Sequence, residues 1–165
     1  MLVEEQILIT QGMLILLVSE TRPMNHEKTL RIRGYQWIEK DRIGPSGRQA
    51  YGGVGILVAD HLDLERQGSG EELVAANLKI GTEEWIISSI HGPYSALASY
   101  RRQLHGLSEF LNEKCRWRGI IIGGDHNAQT HLLTEYNNTR GKLVLEFVEN
   151  HGLIILKSTD MCEGR

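Results

Sequence analysis

Two short apolar runs, each followed closely by an acidic residue, constrain the fold of this chain more than any other feature. Met13–Val18 leads to Glu20, and Gly119–Gly123 leads to Asp125. Runs of this length that are apolar on both faces are typical of strands buried within a sheet, and they are far too short to cross a membrane. We therefore expect two buried strands, the first of them central in its sheet, with polar groups where each strand ends.

Three further segments have the composition of β-strands. Val54–Ala59 follows two glycines, and Leu73–Ile80 alternates, with Asn77 on its polar face. Glu84–Ile90 begins directly after a short turn at residues 81–83. The segments on either side of this turn are predicted to form an antiparallel hairpin.

Apolar residues at helical spacing indicate three helices, at Val3–Gln11, Ser95–Asn112 and Gly141–Asn150. The third helix is predicted to close at Gly152, because glycine is the usual residue just after a helix. A further strand is expected to start at Leu153–Leu156. Hairpins mixed with helix-flanked strands favour an α/β or α+β protein, in which a sheet sandwich is covered by helices.

Composition bounds the class of protein. The chain has 165 residues, 41% of them hydrophobic, without repeats or linker-like stretches, so residues 1–165 are predicted to form a single domain. A net charge of -3 excludes a polybasic nucleic-acid coat protein, although not a local basic groove. Without a secretory leader, and with two cysteines that form no framework of disulfides, the chain is expected to be intracellular and not membrane-bound.

The two acidic residues at strand ends are candidates for a metal site. Ligands of layered α/β proteins bind outside strand ends, so Glu20 and Asp125 could face one cleft. Carboxylates there would suit Mg²⁺, which prefers oxygen ligands. Asn127 adds an amide that could orient a phosphate or a water molecule. Alternatively, each acid is simply a turn residue or a helix cap.

A second polar group follows the strand that ends near Ile90. His91 and Tyr94 flank a Gly-Pro turn there. His91 could hold a phosphate or transfer a proton, and Tyr94 could donate a hydrogen bond to a phosphate oxygen. The alternatives are a surface turn residue for His91 and an aromatic side chain packed on the next helix for Tyr94.

Basic residues follow Glu20 closely in the sequence. Arg22, Arg31 and Arg33 could contact the phosphates of DNA, because backbone charge dominates nucleic-acid affinity. An ordinary solvated loop is the alternative, since Glu27 dilutes the charge.

Four sequence blocks, taken together and in order, resemble the endonuclease/exonuclease/phosphatase family. They are Leu17–Thr21, Gly52–Ile56, Ser89–Ser95 and Gly124–Ala128. The tail resembles the endonuclease domains of non-LTR (LINE-type) retrotransposons in particular. That part of the resemblance rests on Asn137–Gly141, Leu143, Phe147 and Asn150–Leu153.

The resemblance implies an α+β fold, an α/β-sandwich of two mostly antiparallel β-sheets packed face to face and flanked by helices. It implies a phosphodiesterase dependent on Mg²⁺ or Mn²⁺, with Glu20 binding the metal, Asp125 activating water and Asn127 binding the phosphate. The family's tyrosine position falls on His91 or on Tyr94. The implied role is to nick target-site duplex DNA in the nucleus, as part of a polyprotein that also contains a reverse transcriptase.

The chain also departs from the family pattern. The family's first strand, which ends in an asparagine, and its closing Ser-Asp-His segment have no counterpart in the sequence, so the domain is expected to be partial at both ends. Two alternatives therefore remain: a catalytically inactive fragment of the domain, and a phosphatase that acts on a small molecule. The tail favours the nuclease over the phosphatase.

Overall fold

The computed structural model describes residues 14–19, 32–43, 49–70, 72–92, 97–113, 117–132 and 136–156. Within these ranges seven strands form two sheets, and two helices accompany them. None of the helices in this part of the chain has the length and apolar character needed to span a bilayer. The helix predicted at Val3–Gln11 lies outside the described residues.

The first sheet contains β1 (Ile15–Ser19), β2 (Tyr35–Ile43) and β3 (Gln49–Ala59), in the order β1-β3-β2 with both pairings antiparallel. The strand predicted from Met13–Val18 is confirmed, but its central position is not. Among the described residues β1 pairs with β3 alone, and its side chains are half-buried. The centre belongs to β3 because its apolar residues 54–59 are fully buried between two partner strands.

The second sheet contains β4 (Asp63–Ser69), β5 (Leu73–Ile80), β6 (Glu83–His91) and β7 (Gly119–Asp125), in that order. The predicted antiparallel hairpin is confirmed as β5–β6. β6 and β7 run parallel, and helix α1 (Leu97–Asn112) lies between them in the sequence, as a parallel connection requires.

The prediction that β5 has one polar face, with Asn77 and Lys79 on it, is wrong at Asn77, whereas Lys79 near the end of the strand is exposed. Its first six residues are all buried, and Asn77 is only 3% exposed. One face packs toward the other sheet, whereas Leu73 and Ala75 on the opposite face lie against α1, beside Gln103 and Phe110. Over these six residues the strand is covered on both sides, so it has no solvent face for Asn77 to occupy.

A continuous apolar core joins the two sheets face to face. It contains buried side chains from both: Ile38, Val54, Ile56, Val58, Leu62, Val74, Ala76, Leu78 and Ile87. Helix α1 buries a separate stripe at the predicted spacing, formed by Tyr100, Leu104, Leu107 and Leu111. Each such aliphatic side chain contributes about 1.5–3 kcal/mol when it is buried. The observed architecture is the α/β-sandwich expected from the sequence.

The chain divides by its contacts into two compact units, Met1–Asp125 and His126–Arg165. The second contains helix α2 (Thr139–Asn150), which begins two residues earlier than predicted because the Asn138 side chain caps it, accepting a hydrogen bond from the Gly141 N–H at 2.7 Å. The predicted glycine closure is confirmed: Gly152 follows the last cap residue with a φ of +61°.

The strand predicted to start at Leu153–Leu156 does not form over these described residues. These residues have no regular structure and pair with no strand among the described residues. Ile154 and Leu156 are 80% and 82% exposed. An apolar run becomes a strand only when a neighbouring strand satisfies its backbone groups, and the sequence pattern alone does not show whether one is present.

Candidate active site

The parallel strands β6 and β7 end side by side and bring two of the predicted residues together. His91 and Asp125 are the last residues of their strands and are partners in the register. Partners in adjacent strands project from the same face of a sheet about 5 Å apart. The Gly92 N–H donates a hydrogen bond to the Asp125 carbonyl oxygen at 2.7 Å, which continues the pairing beyond His91.

Strand β1 of the other sheet ends beside the same two strands. The Ser89 hydroxyl donates a hydrogen bond to the Val18 carbonyl oxygen at 2.8 Å. The Leu17 side chain lies so close to Gly123 that a Cβ there would sit 2.7 Å from Leu17 Cδ1. The three strand ends therefore meet, and we name this region, defined by Ser19, His91 and Asp125, the site edge.

Asp125 reaches the site edge because of the glycine before it. Gly124 has a φ of +129°, and a Cβ added to it would lie 2.0 Å from the Ile90 carbonyl oxygen. Only glycine permits both this backbone conformation and this close approach of β7 to β6. The Asp125 side chain is exposed to solvent at the end of the strand.

His91 is buried at the site edge and contacts a second acidic residue. Its Nδ1 lies 2.6 Å from Glu72 Oε2, and the two side chains are 5% and 7% exposed. The His91 backbone N–H also donates to the Glu72 carbonyl oxygen at 3.0 Å. Sequence reasoning missed Glu72. The observed turn has two residues, since Ile80 pairs with Glu83, and this register brings Glu72 opposite His91. The turn predicted at residues 81–83 would have shifted the register by one residue.

Asn127 belongs to the second compact unit. It has a left-handed backbone conformation, with a φ of +47°, which asparagine adopts more readily than most residues. Its carbonyl oxygen accepts a hydrogen bond from Asn138 Nδ2 at 3.4 Å. Asn138 Oδ1 also accepts from the Gln129 N–H at 3.1 Å, so the same residue that caps α2 holds the loop that contains Asn127. Sequence reasoning missed Asn138 as well.

One further described candidate, Arg33, is not brought to the site edge. Arg33 is exposed in the turn before β2, where Tyr35 pairs with Ala59, whereas Ser19 pairs with Val54 at the other end of β3. Arg33 is thus at the opposite end of the first sheet. Glu20, Arg22, Arg31 and Tyr94 lie outside the described residues.

The side chains present supply oxygen donors for a hard cation only in part. In the described ranges no group of three or more His, Cys, Asp or Glu side chains is arranged to hold a metal ion. Asp125 supplies an exposed carboxylate, while Glu72 is engaged by His91. The next residue after β1 is Glu20, and β1 ends at the site edge. Among the described residues, the Asp125 carboxylate at the site edge has the oxygen chemistry that Mg²⁺ and Mn²⁺ prefer.

No protein-family model and no curated protein matches the sequence. Solved structures do match the fold. The endonuclease domain of TRAS1, a telomere-specific non-LTR retrotransposon, has a TM-score of 0.69 at 20% identity, over 96% of this chain and 68% of that one. An endonuclease/exonuclease/phosphatase family protein from Leptotrichia buccalis has a TM-score of 0.60 at 11% identity, over 88% of this chain and 64% of that one.

A third similar structure is D. rerio TDP2 complexed with a single-strand DNA product, with a TM-score of 0.51 at 13% identity, over 91% of this chain and 56% of that one. The chain thus spans between 56% and 68% of the length of these three proteins. Their similarity identifies the α/β-sandwich described above as the fold of endonuclease/exonuclease/phosphatase proteins.

Proposed function

We propose that this chain is a metal-dependent phosphodiesterase domain that nicks DNA. The observation that carries the proposal is the site edge, where Asp125 and His91 lie side by side and β1 ends one residue before Glu20. Acidic groups that converge at strand ends are suited to phosphoryl transfer, in which catalysis is largely positioning and stabilisation of charge.

Each residue has a separate role in the proposed reaction. Asp125, exposed at the end of β7, accepts the proton of the attacking water. Asn127 binds a phosphate oxygen, and His91 or Tyr94 supplies a further contact to the phosphate. Glu20 would hold Mg²⁺ or Mn²⁺, and the bound ion would neutralise the negative charge that develops on the phosphate oxygens in the transition state.

Two of the similar proteins support DNA as the proposed substrate. TRAS1 is a retrotransposon whose matched domain is an endonuclease, and the TDP2 structure contains a single-strand DNA product. We therefore propose target-site duplex DNA as the substrate, with Arg22 and Arg31 contacting its phosphates. Arg33, at the other end of the first sheet, could reach only a longer stretch of the duplex.

The retrotransposon role extends the same proposal. The sequence blocks noted above and the similarity to TRAS1 support an origin in a non-LTR element, and hence fusion to a reverse transcriptase and action in the nucleus. Extending the reading frame of the gene tests this part directly. A reverse transcriptase in the same frame supports it, and a frame without one contradicts it.

Conversion of supercoiled plasmid to open circles tests the activity. We expect nicking with Mg²⁺ or Mn²⁺, none in EDTA, and a rate about 10²–10⁴-fold lower in Asp125→Asn, because that change removes the proposed proton acceptor. Asp60→Asn is the matched control, since Asp60 is also exposed but follows β3 at the end remote from the site edge.

Four results would contradict the proposal. Equal nicking by Asp125→Asn and Asp60→Asn would remove Asp125 from the mechanism. Nicking that survives EDTA would exclude metal dependence. Hydrolysis of a small phosphomonoester by a folded chain that leaves plasmid intact would favour the phosphatase, and no hydrolysis of either substrate would favour the inactive fragment.

A further inference from the structure

Three side chains form a row across three adjacent strands at the site edge. Glu72 lies directly before β5, His91 ends β6 and Asp125 ends β7. His91 pairs with Asp125 on one side and with Glu72 on the other, since Leu73 pairs with Ile90 one position earlier. The row therefore places an imidazole between two carboxyl groups on one face of the sheet.

The Glu72–His91 contact is held by the backbone as well as by the side chains. Glu72 Oε2 lies 2.6 Å from His91 Nδ1, and the His91 N–H donates to the Glu72 carbonyl. The Gln103 side chain of α1 lies against the same two residues. With its amide oriented to satisfy both groups, it donates to the His91 carbonyl and accepts from the Glu72 N–H, both at 3.2 Å. Burial of both side chains keeps water from competing for the contact.

The position of Glu72 decides which way the imidazole is presented. A carboxylate beside Nδ1 keeps a proton on that nitrogen, so Nε2 is the acceptor of the neutral ring and a second donor of the charged ring. The two nitrogens point to opposite sides of the ring. Because Nδ1 is directed to Glu72, Nε2 is directed away from that carboxylate, and it is buried.

We infer that Glu72 is a positioning residue for the proposed reaction: through its contact with His91 it fixes the tautomer and direction of an imidazole whose strand position pairs with that of Asp125. The inference rests on the proposed function for its catalytic consequence, and on the contacts above for its structural part. Some residues orient a histidine through a hydrogen bond without touching the substrate. Removing such a residue lowers activity about 10–100-fold.

The chain offers a matched control in a second histidine–glutamate pair. His105 Nε2 and Glu109 Oε1 lie 3.6 Å apart on α1, with side chains 75% and 66% exposed. An exposed pair of this kind contributes little, because water competes with it. Glu109→Gln therefore makes the same chemical change as Glu72→Gln, but on a solvated surface.

The first test measures the tautomer of His91 in the full ¹⁵N-labelled chain, by NMR correlation of the ring protons with both ring nitrogens. We expect the proton of the neutral ring on Nδ1 in the wild type and in Glu109→Gln, and loss of that preference in Glu72→Gln. A neutral wild-type ring with its proton on Nε2 overturns the inference. Because this result needs only the wild-type protein, the test remains valid even if Glu72→Gln does not fold.

The second test measures plasmid nicking by the same variants. We expect kcat to fall about 10–100-fold in Glu72→Gln with KM unchanged, and Glu72→Asp to recover part of the loss because it keeps a carboxylate acceptor. Glu72→Gln kinetics equal to those of Glu109→Gln would overturn the inference. If the wild-type chain nicks nothing, the proposed function fails; the NMR result then decides the positioning role alone, an Nδ1 proton sustaining it and an Nε2 proton overturning it.

Discussion

The two ends of the sandwich contain glycines that serve different purposes. At the end opposite the site edge, Gly34 and Gly81 have φ values of +83° and +63°, and a Cβ added to either would meet no atom within 4 Å. At the site edge, a Cβ on Gly123 or Gly124 would overlap the Leu17 side chain or the Ile90 carbonyl.

This difference separates glycines that shape a turn from glycines that let chains approach each other. The turn glycines satisfy only a local backbone conformation, whereas the site-edge glycines let β7 approach β6 and β1 closely enough to align three strand ends. The loss of stability caused by a glycine substitution should therefore differ between the two ends. Only substitutions at the site edge should also alter the position of Asp125.

The largest effect is expected for Gly124→Ala. The new Cβ would meet backbone, which cannot yield as a flexible side chain can, and φ would remain at +129°. We expect the free energy of unfolding to fall by about 3 kcal/mol or more, measured by urea denaturation, together with loss of nicking. Gly106→Ala on α1 is the control, because nothing lies within 4 Å of its Cβ and alanine favours a helix interior by about 0.5–1 kcal/mol. Equal stability of the two variants would show that β7 can move away from β6.

A smaller effect is expected for Gly81→Ala at the other end. Ile80 and Glu83 pair directly, so Gly81 and Thr82 form a two-residue hairpin turn whose first residue has a positive φ. A Cβ there meets open space, so only backbone strain remains, and we expect a loss of about 1–2 kcal/mol in thermal or urea unfolding. Nicking should be unchanged. A loss as large as that of Gly124→Ala would contradict the distinction between the two kinds of glycine.

Local features of the fold were predictable from the sequence because they depend on local patterns. The β5–β6 hairpin, β7 and α1 each follow from apolar spacing within a single segment. Neighbours in space do not follow in this way. The half-buried position of β1, which pairs with β3 alone among the described residues, depends on that strand. The burial of Leu73 and Ala75 depends on a helix that begins more than 20 residues later.

The same distinction between local patterns and neighbours in space applies to the candidate site. The pairing of His91 with Asp125 agrees with the expectation that polar groups follow strand ends, since two parallel strands must end on the same side. Glu72 was missed because an acidic residue before a strand has no distinguishing pattern until the register places it beside an imidazole. Asn138 was missed because its contacts with Gln129 and Asn127 cross a loop that the sequence does not specify.

The smallest expected effect on stability is that of replacing either of two neighbouring serines of β6. The Ser88 hydroxyl donates a hydrogen bond to the Val74 carbonyl oxygen within the hairpin. The Ser89 hydroxyl donates one to the Val18 carbonyl oxygen and so joins the two sheets at the site edge. Each serine-to-alanine change should lower the free energy of unfolding by about 1 kcal/mol, the usual net contribution of one hydrogen bond.

Only Ser89→Ala should also slow nicking. It releases the end of β1, and with it the residue that follows Ser19, and small displacements of a group at a reaction centre can lower the rate by up to about 100-fold. Ser88→Ala removes a bond between strands that their backbones already join throughout β5–β6, so its nicking rate should match the wild type. If the two variants nick equally well, the end of β1 is held by contacts other than Ser89. The tight packing of Leu17 on Gly123 would then be the contact that aligns the two sheets.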